Sequence, residues 1–355
     1  MRQYRAVVAI LAAVTLVSCV EYPTEPTPGT EPPIKNGDVV RGFGFSPLGF
    51  PEDYTGSLEF FAELDIFGNA AVTWVSLWRD DAIQGRDAGE VPALATQLAL
   101  VAPMSAAVPV PVFSWRSGET LYIRVPGNSK NDWSNQEAAS LFRSMVSQYA
   151  KLHQPPVIFL GNENDVYWAQ DSVDYARWIE AYNQAYEAIK DLSPKTLIGP
   201  VFSYEHLAGI GELNGWSRSH WGALEAHDLG KIDVVGLTVY PFFAVADPRD
   251  MGDDYFDQLF ERIGDKPVMI TETGWPSAHT TREMPWEASA NHQVAYMAAL
   301  EEAIDGRDIR VVNWRYLYDM VPHQSQAYDV FGAIGLKFAS GKAKPALPFW
   351  ITFAR

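Results

Sequence analysis

The sequence predicts an α/β protein built as a single parallel (β/α)8 barrel, the TIM-barrel architecture. Three observations carry that expectation. Eight short apolar runs recur at fairly even intervals, stretches with helical period lie between them, and no shift in composition divides the chain after Val39. The length of 355 residues would fit two domains, but α/β barrels routinely exceed 250 residues as one. With 47% of residues hydrophobic, the chain can fill a large core, which excludes intrinsic disorder for its body.

Arg2 and Arg5 precede an apolar run from Ala6 to Val17, followed by Ser18 and Cys19. A positive start, about 12 apolar residues and a small residue read as a secretory signal over residues 1–18, too short to span a bilayer. From Glu21 to Asp38 prolines stand at 23, 26, 28, 32 and 33, so residues 19–38 are expected to be an extended tether outside any core. The barrel would occupy residues 39–355. Its strands are expected at Arg41–Ser46, Ala71–Leu77, Pro109–Ser114, Pro156–Gly161, Thr196–Phe202, Asp233–Val239, Pro267–Glu272 and Ile309–Arg315. Most are continuous apolar runs, as strands buried on both faces require. Helical period marks Ser57–Phe67, Asn135–Leu152, Ser172–Leu192 and Pro285–Ile304. Ser134 or Asn135 can cap the second, and Trp178, Tyr182, Ala185 and Ile189 form one stripe of the third.

An open doubly wound sheet would alternate in the same way, but it usually carries a glycine-rich phosphate turn after its first strand. Here Gly42-Phe-Gly-Phe-Ser-Pro47 lacks the third glycine and runs into proline. The closed barrel fits better, and in that fold chemistry sits at the C-terminal strand ends.

Charge and composition exclude several functions. Forty-four acidic against 27 basic residues give −17 with no basic block, so no nucleic-acid partner is expected. The seven histidines include no close ligand pair, so no metal and no cofactor is expected. Cys19 is the only cysteine, which rules out an intrachain disulfide. A two-lobed transport receptor would need a mid-chain break, and none is visible.

Two strand ends carry carboxylates in the same relation to their strands. Strand four ends Leu160-Gly161-Asn162-Glu163, and strand seven ends Ile270-Thr271-Glu272. A glutamate directly after such a run leaves the core upward into the mouth, so in one barrel Glu163 and Glu272 would face each other. Two carboxyl groups about 5–5.5 Å apart are the apparatus of a retaining glycosidase. Their mutual repulsion would raise one pKa and leave that group its proton. Taken singly, each glutamate would equally serve as a helix-start acid.

With these residues in place, the chain resembles clan A of the glycoside hydrolases. Gly161-Asn162-Glu163 looks like the clan's strand-four pair. The resemblance implies that Glu163 is the acid/base and that Asn162 holds the sugar 2-hydroxyl. Thr271-Glu272-Thr273-Gly274-Trp275-Pro276-Ser277 is similar to the nucleophile signature of family 17, the endo-β-1,3-glucanases. Asp233 to Phe242 looks like strand six of family 53, the endo-β-1,4-galactanases, with Tyr240 where the clan hydrogen-bonds its nucleophile. Trp314 matches the clan's platform under the cleaved sugar, and Arg79 falls near the clan's arginine beside the nucleophile. Gly335 to Ala346 resembles the closing segment of these barrels. Two features depart from the pattern: Ser114-Trp115 stands where some members carry a histidine, and Asn164-Asp165 is not a typical family 53 continuation. Leu16-Val17-Ser18-Cys19 resembles the bacterial lipobox. That implies a Cys19-lipidated protein, exported and anchored to the cell envelope, at the outer membrane if the cell is Gram-negative.

The implied reaction is double displacement on a β-linked polysaccharide or oligosaccharide, β-glucan or β-galactan, with Glu272 attacking and Glu163 handling the proton. Trp78, Trp115, Trp168, Trp275 and Trp314 lie just past strand ends, where indoles could stack on sugar faces and form a groove. Trp216 and Trp221 would extend that groove or pack a loop. Two other readings stay open: a non-catalytic glycan-binding lipoprotein, and a transglycosylase of the same geometry. The protein is expected to be a monomer that meets the membrane through its lipid alone.

Overall fold

The computed structural model describes residues 34, 39–64, 70–78, 91–123, 125, 128–279, 284–320 and 330–353. All eight expected strands form, every one parallel to its neighbours: β1 (Val40–Gly44), β2 (Ala71–Leu77), β3 (Val108–Ser114), β4 (Val157–Leu160), β5 in two pieces (β5a, Leu197–Gly199, and β5b, Val201–Ser203), β6 (Val235–Val239), β7 (Val268–Thr273) and β8 (Ile309–Trp314). Closure passes through strand five. Pro200 has no N–H to give a ladder, and at that residue the strand changes partners. β5a pairs with β4 and β5b with β6, while β1 pairs with β8 and β2 to complete the ring.

Proline shapes β3 as well. Val108 donates its N–H to Ala70 on the β2 side, so the alternate residues Pro109 and Pro111 face β4, where they have nothing to donate. Pairing with β4 is accordingly confined to Val112↔Phe159 and Phe113↔Leu160, whereas β2 pairs along the whole of β3.

The two-residue alternation of strands sorts the core into an inside and an outside. Val40, Val108, Val110, Val112, Val157, Phe159, Val201, Met269 and Val311 fill the cylinder. Phe43, Phe113, Ile158, Leu160, Leu237, Ile270 and Val312 point out toward the helices. Ile34 belongs to the inner set and is only 4% exposed. This corrects the expectation that the tether contributes nothing to a core: Ile34 is the single described residue of 19–38 and it is buried. An isoleucine among prolines and polar residues gains by leaving water for an apolar site.

The helices around the barrel are α1 (Ser57–Leu64), α2 (Ala93–Met104), α3 (Gln136–His153), α4 (Asn164–Gln170), α5 (Ser172–Leu192), α6 (Tyr204–Ala208), α7 (Gly222–Glu225), α8 (Asp257–Ile263), α9 (Ala290–Ile304) and α10 (Leu347–Phe353). Asn135 is the residue that caps α3, accepting from the Ala138 N–H. Asp171 caps α5 through Val173 and Asp174, and the stripe Trp178, Tyr182, Ala185 and Ile189 is buried as its spacing predicts. Among the described residues no helix is long and apolar enough to cross a membrane.

The glycines of Gly42-Phe-Gly-Phe are packing residues. A Cβ on Gly42 would stand 1.8 Å from the Ala71 carbonyl oxygen, so β1 and β2 approach as only glycine permits.

Candidate active site

Strand parity decides which side chains reach the mouth. On β6, Gly236 lies inward against Phe159 and Val201, so Thr238 and Tyr240 follow on the same face. On β8, Val311 is inward, and Asn313 and Arg315 continue its row. On β7, Met269 is inward, and strict alternation would send Glu272 outward. A bulge prevents this. Register shifts between Ile270 and Glu272 against β6, and between Ile270 and Thr273 against β8. The extra residue re-aims the strand, a common use of a bulge beside a site. Thr271 Oγ1 and Thr273 Oγ1 donate to the Leu237 and Val239 carbonyls at 3.0 and 2.7 Å and fix the bulged strand to β6.

Glu163 arrives by a different device. The chain leaves β4 through Gly161 at φ +78°, and Glu163 itself is left-handed at φ +50°, ψ +56°. A Cβ on Gly161 would collide with the Asn164 side chain. The next two residues hold the turn. Asn164 Nδ2 donates to the Val201 carbonyl at 3.0 Å, and Trp178 Nε1 donates to Asn164 Oδ1 at 2.8 Å. Asp165 accepts from the Ser203 N–H at 2.7 Å and lies 2.6 Å from His206 Nδ1. The Asn164-Asp165 departure in sequence is therefore a tie between the end of β4 and strand five.

The two carboxylates converge over the mouth. Glu272 and Thr238 are register partners, and Thr238 Oγ1 donates to Glu163 Oε1 at 3.2 Å, so one threonine links both strand ends. Tyr240 Oη donates to Glu272 Oε2 at 2.9 Å, and Arg315 Nη1 donates to Oε1 of the same carboxylate. Burial works to lower the Arg315 guanidinium, but the charges of Glu272 and its neighbours outweigh this and hold it above its ordinary range. Burial pushes the Tyr240 phenol well up, with the Glu272 charge adding to it. Glu163 is raised, chiefly by burial. The Arg116 charge opposes this, and the charges of Glu272 and Asp165 add to it. Asn162 Oδ1 is buried with no partner among the described residues, an acceptor left unused beside Glu163.

Not every expected site residue joins this group. Arg79 lies outside the described residues, as does Cys19. The arginine that meets Glu272 is Arg315. The expected indole groove is corrected by burial. Trp115 is fully buried in a cluster with Tyr167, Trp178 and Trp133 at ring separations of 4.6, 4.9 and 5.3 Å. Trp275 is buried with Nε1 on the Glu287 carbonyl, and Trp314 with Nε1 on the Ile334 carbonyl at 2.7 Å. Trp78 packs on Phe142. The indole offers more apolar area than any other side chain, and here the space between barrel and helices takes it. Trp168 and Trp216 remain half-buried, Trp168 beside His220 and Trp216 on Phe243 and His206. Trp221 is buried under the Arg262 guanidinium.

Sequence reasoning missed Thr238, Arg116 and Arg315. Parity was available for two of them: Thr238 is two residues before Tyr240, and Arg315 continues the inward row of β8. A cavity of about 300 Å³ elsewhere is lined by Ala99, Val108, His153 and Pro156, at the start of β3 and β4 and therefore at the opposite face. It holds neither carboxylate. No group of side chains able to hold a metal ion occurs among the described residues.

The fold is shared with solved glycosidases. The exo-β-1,4-mannosidase of Opitutaceae bacterium strain TAV5 superposes with a TM-score of 0.65 at 21% identity, over 90% of this chain and 59% of that one. A family 39 glycoside hydrolase from Bacteroides cellulosilyticus WH2 gives 0.60 at 17%, over 89% and 63%. The β-glucuronidase of Bifidobacterium dentium gives 0.60 at 15%, over 89% and 46%. The chain spans less than two-thirds of the length of each. No curated protein sequence matches it. The family model of glycosyl hydrolase family 53 matches over residues 143–331. The match covers both strand-end glutamates and just over half of the chain, which belongs to glycosyl hydrolase family 53.

Proposed function

We propose that the protein is a retaining glycoside hydrolase acting on a β-linked polysaccharide or oligosaccharide, with β-glucan or β-galactan as the substrate class. The observation that carries this is the convergence of Glu163 and Glu272, bridged by Thr238. In the first step a Glu272 oxygen bonds to the anomeric carbon, the glycosidic C–O bond breaks, and the leaving oxygen takes the Glu163 proton. In the second, Glu163 takes a proton from water, whose oxygen displaces Glu272 from the same carbon. The roles follow from the surroundings. Glu272 has donors at both oxygens, which suits a nucleophile, and Glu163 is raised by burial, which suits a group that must hold a proton. The free Oδ1 of Asn162 is placed to accept from a sugar hydroxyl as charge grows on the ring. Half-buried Trp168 and Trp216 are the described indoles with surface to offer a sugar face.

The test is a screen of purified protein against β-1,3-glucan, β-1,4-galactan, β-mannan and xylan with product sizes read out. Glu272→Ala and Glu163→Ala follow on the best substrate. The first should abolish turnover. The second should slow natural substrates most and activated aryl glycosides least, with azide restoring rate. Unchanged turnover in Glu272→Ala, or uniform loss across leaving groups in Glu163→Ala, removes the assignment concerned.

The proposal extends to location. The charged start, apolar run and Leu16-Val17-Ser18-Cys19 favour export and lipid anchoring at Cys19, with the acidic body held off the membrane.

A further inference from the structure

We propose that Arg116 is the positioning residue of the acid/base, clamping the left-handed turn that carries Glu163 and giving one of its carboxyl oxygens a cationic neighbour. The inference rests on the double-displacement reading of the site.

A glutamate at φ +50° persists only where its surroundings over-determine it. Arg116 supplies that constraint. Its Nη1 donates to two consecutive carbonyls of the turn, Asn162 at 3.1 Å and Glu163 at 3.0 Å, and its Nη2 donates to the Gly118 carbonyl. The residue is 4% exposed and stands at the start of the Arg116–Ser117/Thr120–Leu121 hairpin that follows β3. Its own backbone is tied to the Ser114 hydroxyl, which donates to the Arg116 carbonyl at 2.9 Å. A planar guanidinium fork can span such a set of acceptors, and a lysine ammonium cannot do so in the same geometry.

One oxygen of the carboxyl is hydrogen-bonded and the other has a cation nearby. Thr238 Oγ1 serves Oε1, and Arg116 Nη1 lies 3.8 Å from Oε2. The charged groups facing Glu163 are Arg116 from the hairpin, Asp165 from α4, Glu272 from β7 and Arg315 from beyond β8. Among them Arg116 is the strongest influence favouring the ionised form, against a larger effect of burial. A group that is acid in one step and base in the next needs one orientation in both and a proton affinity between extremes. Arg116 meets both needs through the turn it clamps and the carboxyl it faces.

The experiment compares Arg116→Met and Arg116→Lys with the wild-type protein. The Glu163 carboxyl is titrated by difference infrared spectroscopy with Glu163→Gln as the blank, and turnover is measured against pH on glycosides of good and poor leaving groups. In Arg116→Met the Glu163 titration and the basic limb of kcat both move to higher pH. Turnover of poor leaving groups falls about tenfold or more with KM little changed, and activated aryl glycosides lose less. Arg116→Lys keeps the titration near wild type yet loses turnover, because the charge remains and the fork is gone. An unmoved Glu163 titration in the methionine variant, equal loss across leaving groups, or full activity in the lysine variant overturns the proposal. If the methionine variant does not fold, the lysine variant decides. If the wild-type protein turns over no glycoside, the hydrolase reading fails, and the titration still tests Arg116.

Discussion

Glu272 and Glu163 show how far identical side chains can be separated by their neighbours. Glu272 is met by a phenol and a guanidinium. Glu163 has a threonine hydroxyl and a more distant arginine, and burial holds it above its ordinary 4.5. In the proposed mechanism the basic limb of activity is set by loss of the Glu163 proton and should therefore lie above the usual carboxylate range. A third carboxyl takes no part in the proposed chemistry. Glu205, fully buried, accepts on Oε1 from the Tyr240 N–H and the Tyr255 hydroxyl, each at 2.9 Å, while Oε2 has no partner among the described residues. Burial raises it to about 7. Its folded state thus binds the proton more tightly than the unfolded chain. Stability should fall as pH rises from about 4.5 to about 7 and change no further above that, a loss on the order of 3 kcal/mol for this group. Glu205→Gln should remove that slope. Urea denaturation of both proteins at pH 4.5 and pH 8 measures it, and parallel profiles would contradict the buried-carboxyl account.

At the scale of elements, the close approach of β1 to β2 gives a sharp prediction. Gly42→Ala places a methyl against backbone, with no flexible side chain to yield, and should cost about 3 kcal/mol, read as a lowered urea midpoint with the slope unchanged. A midpoint within error of wild type would mean the strands can separate freely. The strands themselves were legible in the sequence because burial on both faces demands unbroken apolar runs, and β2 begins and ends where its run does. Helix α5 was equally plain, with a four-residue stripe along it. What the sequence did not disclose has a physical cause in each case. A tryptophan past a strand end fits under a sugar or under a helix, and nothing local to Trp115 or Trp314 distinguishes the two. The bulge at Thr271 leaves no mark in composition, since Thr-Glu-Thr fits a regular strand as well. Arg116 acts on carbonyls 46 and 47 residues away, a relation set by folding alone.

For the whole molecule, Glu163 and Glu272 stand at the end of the cylinder opposite the small apolar cavity. If Cys19 carries the proposed lipid, Cys19→Ser should move the protein from the membrane to the soluble fraction with its activity on soluble substrate intact. Fractionation of expressing cells reads this directly, and retention in the membrane would end the lipobox reading. Strand five carries a consequence of another kind. Pro200 hands the chain from β4 to β6, and backbone bonds still cross that junction: Val201 donates to the Gly161 carbonyl at 3.3 Å, and Gly236 donates to the Pro200 carbonyl at 2.9 Å. A protease cut at Pro200 would therefore leave hydrogen bonds on both sides of the break. The piece ending at Gly199 bears Glu163 and the piece starting at Val201 bears Glu272, so after a cut the meeting of the two carboxylates would depend on the β1–β8 seam on the far side of the ring.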